Sequence, residues 1–114
     1  MIYIGFSTKT NKLYARIFCR HFRHVAPILI TNNKCIMYQF ISHKKIALIT
    51  LQPRDLKILE LYGWKFIEYR GKIDLQHALK TKSVNCVQFT KHTCKIKNIM
   101  IQTPDTLFRY LCNK

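Results

Sequence analysis

Three apolar runs follow one another between residues 24 and 51, and the short polar breaks between them leave the chain little choice of fold. His24-Val25-Ala26-Pro27-Ile28-Leu29-Ile30 is rich in apolar and β-branched residues, and Thr31-Asn32-Asn33-Lys34 has the composition of a turn. Cys35-Ile36-Met37-Tyr38-Gln39-Phe40 returns as a second strand. A third, Lys45 to Leu51, follows the polar Ser42-His43-Lys44. Pro27 has no N–H to give to a ladder, which predicts an edge position or a bulge for the first of these strands. Residues 2–6 alternate like a strand and end at Gly5-Phe6-Ser7, and Trp64-Lys65-Phe66-Ile67-Glu68-Tyr69 reads as a further, central strand.

Helical signals surround the strands. Leu13, Ile17 and Phe18 recur at helical spacing, which predicts a helix over about 12–22. Pro53 is read as the first residue of a short helix that Gly63 closes, with Leu56, Leu59 and Tyr62 on its buried face. In the last helix Thr103 is the N-cap and Pro104 the first residue. Asp105 favours the dipole, and Leu107, Tyr110 and Leu111 pack. The order predicts one α+β domain over 1–114, an antiparallel meandering sheet with helices packed on it.

Composition narrows the setting. No apolar run reaches the roughly 20 residues of a membrane span. The Met1-Ile2-Tyr3-Ile4-Gly5-Phe6 start lacks a basic region followed by a long apolar one, so a secretory signal is not expected and the cytoplasm is. Five cysteines without a CxxC pair fit reduced thiols, most of them core residues such as Cys35 and Cys112. Twenty Lys+Arg against five Asp+Glu give a net charge of +15, which attracts nucleic acid or an acidic protein. No cofactor is expected. Cys19, His21 and His24 would not share one helical face, and paired zinc spacing is absent.

The segment Ser83-Val84-Asn85-Cys86-Val87-Gln88-Phe89 reads as a loop turning into a helix with a cysteine at its first position. Ser83 or Asn85 supplies the cap, and Val84, Val87 and Phe89 bury the segment. A thiol there meets the positive end of the helix dipole, which favours the thiolate. A cysteine nucleophile needs a base, and of the five histidines His24, at the start of a long strand, is the one a scaffold would hold firmly. His21 and His43 read as helix end and turn, and His77 and His92 as residues of exposed helical faces.

Phe22-Arg23-His24-Val25-Ala26, then Asn85-Cys86-Val87-Gln88-Phe89, then Thr103-Pro104-Asp105-Thr106-Leu107-Phe108-Arg109-Tyr110-Leu111 stand in the order of a known pattern. It resembles the circularly permuted papain-like enzymes, the NlpC-type and lecithin:retinol acyltransferase-like families, in their phage or bacterial form, over residues 2 to about 111. The resemblance implies a permuted papain-like domain with Cys86 as nucleophile and His24 as base. It also implies a polar residue on the next strand, within Cys35 to Phe40, that orients His24. Gln39 and Tyr38 are the polar choices, and alternation puts them on opposite faces, so only one can serve. Gln39 is favoured because its amide oxygen accepts from an imidazole N–H. The activity implied is that of a cysteine peptidase-like or amidase-like hydrolase, or an acyltransferase, acting on an amide, ester or thioester, in the host cytoplasm if phage-encoded. The alternative is a non-enzymatic basic binding module on the same fold, with nucleic acid or an acidic protein as partner.

Overall fold

The computed structural model describes residues 1–8, 22, 24–42 and 45–113. The expected helix over 12–22 lies, but for Phe22, outside them, as do Cys19, His21, Arg23 and His43. Five strands form one antiparallel sheet: β1 (Ile2–Ser7), β2 (His24–Thr31), β3 (Lys34–Ser42), β4 (Lys45–Leu51) and β5 (Trp64–Tyr69). Four helices follow among the described residues: α1 (Asp55–Leu61), α2 (Leu75–Lys80), α3 (Cys86–Cys94) and α4 (Pro104–Cys112).

Strands β2, β3 and β4 make the expected meander, but the sheet order is β4-β3-β2-β1-β5. β5 passes over the meander and pairs with β1, from Ile2 opposite Tyr69 to Ser7 opposite Trp64. Two expectations are corrected by this order. Trp64–Tyr69 is an edge strand rather than a central one, and Pro27 sits inside the sheet opposite Ile4 of β1. The proline is tolerated there because the ladder between β2 and β3 stops at Ile28, one residue short of the missing N–H.

Alternation divides the side chains into two faces. Ile4, Phe6, Val25, Tyr38 and Phe40 point to one face and pack with Ala78, Val87, Phe89, Leu107 and Leu111 of α2, α3 and α4. Burying a side chain of the size of Phe89 or Leu107 stabilises the fold by about 1.5–3 kcal/mol. Ala26, Ile28, Cys35 and Met37 point to the other face, where Leu56 and Leu59 of α1, Trp64 and Phe66 pack against them. Trp64 and Phe66 stack with centroids 6.0 Å apart over Gly5. A Cβ at Gly5 would stand 3.0 Å from Phe66 Cε1 and 3.1 Å from Trp64 Cε3.

Local chemistry explains where the helices start. Gln52-Pro53-Arg54-Asp55 closes a turn by the Asp55 N–H donating to the Gln52 carbonyl at 2.8 Å. Pro53 therefore occupies the second turn position, which suits its fixed φ, and α1 begins two residues later than expected. Gly63 ends that segment with φ +96°, a conformation glycine adopts without strain. Tyr62 is largely exposed, because it lies past the helix end. Helix α2 carries His77 on an exposed helical face, as expected, though the sequence reading sets no bounds for it. Its signal is Asp74, whose carboxylate caps it by accepting from the His77 N–H at 2.9 Å. Thr103 caps α4 as expected, in a reciprocal box with Thr106.

Candidate active site

Asn85 rather than Ser83 caps α3: its Oδ1 accepts from the Gln88 N–H at 2.9 Å. Gln88 returns the bond, its Oε1 accepting from the Val84 N–H at 3.0 Å. These two bonds fix the entry to the helix and hold Cys86 at its first position. Val87 and Phe89 are buried as expected, whereas Val84 is 60% exposed because it stays in the loop before the first turn. Ser83 is buried and shares a 2.7 Å hydrogen bond with His92 Nδ1. Burial first, then the charges of His77 and Lys91, lower the proton affinity of His92, which is half-buried rather than on an open face.

His24 and Gln39 meet. The His24 Nε2–H is the donor that suits Gln39 Oε1, because the Gln39 amide nitrogen is engaged at 3.0 Å with Met37 Sδ. That tautomer leaves the imidazole lone pair on Nδ1. Trp64 presents its ring at 89° to His24 with centroids 6.1 Å apart, a second restraint on the imidazole. Tyr38, the second choice for the orienting residue, is set aside: it points to the helical face and is buried with Phe40 and Phe89, the face opposite to Gln39.

Cys86 and His24 come to the same end of the sheet from different sides. Ser83 and Phe89 line a small cavity with Phe40 and Ser42, which sets the start of α3 beside the end of β3. That end of β3 is the end at which β2 begins with His24. Cys86 itself belongs to the cluster on the helical face and is 7% exposed. His24 and Gln39 lie on the face that carries Met37 and Trp64. The resemblance and the accepting amide oxygen point to Gln39 beside His24, and alternation makes Tyr38 its alternative, but nothing in the sequence indicates which face the helices cover.

The remaining thiols contrast with one another. Burial pushes Cys94 up to about 12. Cys35 is also raised, by burial first and then by the charge of Asp55. Cys112 is exposed rather than part of the core, because it falls about 100° past Leu111 on a helix whose buried stripe is Pro104, Leu107 and Leu111. Among the described residues no cluster of three or more His, Cys, Asp or Glu could hold a metal ion. None of the described helices is long and apolar enough to cross a membrane.

No protein-family model matches the chain, and no curated protein or solved structure is similar to it.

Proposed function

We propose that this chain is a small thiol hydrolase or acyltransferase of permuted papain-like arrangement. The Cys86 thiolate attacks the carbonyl carbon of an amide, ester or thioester. His24 accepts the thiol proton at Nδ1 and returns it to the leaving nitrogen, oxygen or sulfur. Water then attacks the acyl-enzyme with His24 as base, and Gln39 keeps the ring in the tautomer that both steps need. The Cys86 backbone N–H, at the start of the helix, faces the developing oxyanion.

The observation that carries this reading is the His24–Gln39 hydrogen bond at the end of the sheet where the Asn85-capped helix begins. Catalysis then requires the His24 ring to reach the Cys86 thiol around the start of β2 when substrate binds, since catalytic contacts are commonly long in free enzymes and tighten on substrate. The test is turnover of an activated ester or thioester by the wild-type protein, Cys86→Ser and His24→Ala. Both variants lose turnover by more than about a hundredfold while keeping the wild-type circular dichroism. Full turnover by either folded variant overturns the reading.

One observation favours a second reading, a basic binding module without catalysis: Cys86 packs among apolar side chains on one face while His24 and Gln39 project from the other. Timed alkylation with iodoacetamide near neutral pH separates the two. An activated Cys86 labels well ahead of Cys35 and Cys94, whereas a packed one labels no faster than they do.

A further inference from the structure

A second concave site lies on the far side of α3 from the sheet. Lys82, Lys91, His92 and Lys97 line a cleft of about 450 Å³ together with the amides of Gln88 and Gln102. Among the described residues no acidic side chain lines it. The nearby carboxylates are occupied elsewhere: Asp74 pairs with Lys95 at 3.2 Å, and Asp105 accepts from the Phe22 N–H at 3.0 Å. Three ammonium groups therefore share one cleft with no counter-charge among the described residues that line it.

The cleft is also built. Lys91 Nζ donates to the carbonyls of Asn98 at 2.7 Å and Ile101 at 2.9 Å, which fixes the ammonium and ties the 98–101 loop to α3. An ammonium has three N–H groups, so one remains to point at a ligand. Burial lowers the proton affinity of Lys91, an effect that an anion beside it would reverse. His92 is held by Ser83 behind it. Ile96 and Ile99 contribute an apolar wall, and the amides contribute neutral donors. One fixed and two exposed cations, amide donors and an apolar wall suit an anion with several oxygens attached to a less polar body. The volume is in the range that holds a nucleotide-sized ligand.

We propose that this cleft binds phosphate esters, as a free nucleotide or as the backbone of a single-stranded nucleic acid. The site stands apart from Cys86 and His24, and the proposal does not depend on their chemistry.

Two probes test it on the full chain at low salt: a short fluorescein-labelled single-stranded DNA, and ADP as competitor. Lys82→Gln/Lys97→Gln removes two exposed cleft lysines, and Lys34→Gln/Lys57→Gln removes two exposed lysines remote from the cleft. The cleft pair is expected to weaken DNA binding about tenfold or more and to lower the salt slope by about 1–2, with the remote pair within about twofold of wild type. If the cleft pair fails to fold, Lys97→Gln alone carries the comparison, against Lys57→Gln. Displacement of DNA by ADP identifies a nucleotide site, and DNA binding that ADP does not displace identifies a strand site. Equal weakening by the two pairs overturns the proposal, since it would mean a diffuse positive field. So would the absence of DNA and ADP binding at low salt.

Discussion

Gly5 offers the sharpest test of how the sheet face around His24 is packed. A methyl placed there by Gly5→Ala would stand 3.0 Å from Phe66 Cε1, 3.1 Å from Phe66 Cδ1 and 3.1 Å from Trp64 Cε3. Ordinary contact needs about 0.3–0.5 Å more, so two stacked rings must yield together. They have little room to do so: Gly5 lies opposite Ala26 in β2, and Trp64 has the His24 ring on another side. Crowding of this kind costs about 1–3 kcal/mol. Against it, replacing glycine in a strand gains about 0.5–1 kcal/mol of chain entropy. The net expectation for Gly5→Ala is a loss of about 0.5–2 kcal/mol, and Gly5→Val should lose more than about 3 kcal/mol. Trp64 is the one tryptophan in the chain, so urea unfolding followed by its fluorescence reports directly on the ring that must move. The alanine variant should unfold at lower urea with an unchanged slope. A midpoint equal to or above that of wild type would refute the packing argument, because it would mean that the ring pair slides off Gly5 without cost.

Other outcomes follow from single side chains. Thr90 is fully buried and its hydroxyl has no hydrogen-bond partner among the described residues, so Thr90→Val should raise the unfolding free energy by about 1 kcal/mol in the same urea assay. Asn85→Ala removes the cap of α3 and should cost about 1 kcal/mol, while Ser83→Ala should leave the cap intact and alter the NMR titration of His92 instead. His92 binds its proton less readily folded than unfolded, so below its unfolded value of about 6.5 the unfolded chain takes up the proton first. Stability therefore falls as pH drops from about 6.5 toward the lowered folded value, and His92→Gln should flatten that part of a pH–stability curve measured by urea midpoints. Alkylation at neutral pH should modify Cys112 and spare Cys94, which peptide mapping reads directly.

Much of the fold was legible because its signals are local. The Asn32-Asn33 break fixes the β2–β3 hairpin, Asn32 adopting the left-handed backbone that asparagine tolerates, and Thr103-Pro104 fixes the start of α4. The two-residue period of a strand says that only one of Gln39 and Tyr38 can stand beside His24, and the accepting amide oxygen favours Gln39. The pairing of β1 with β5 was not legible, since the two strands carry no residue that names the other. For the same reason Pro27 misleads: its own chemistry argues for an edge, and the end of its ladder on one side is a property of the neighbouring strand. Cys112 and Tyr62 show the limit of counting apolar residues, because Cys112 lies one position beyond the buried stripe of its helix and Tyr62 lies past the end of its own.

The place of β1 between β2 and β5 has a consequence for how the protein reaches its native state. β2 joins β3 through a two-residue turn, whereas β5 finds β1 across roughly sixty residues of chain. Closing a loop of that length costs about 3–4 kcal/mol before any pairing repays it, so the hairpins form ahead of the β1–β5 seam. Amides of Trp64–Tyr69 should gain protection from exchange after those of Ile28–Met37 in a pulse-labelled refolding experiment. Until then β1 carries a bare backbone edge flanked by Ile2, Ile4 and Phe6, a template for pairing with another chain. The step that completes the sheet is thus also the step that protects the unfinished molecule from its own copies.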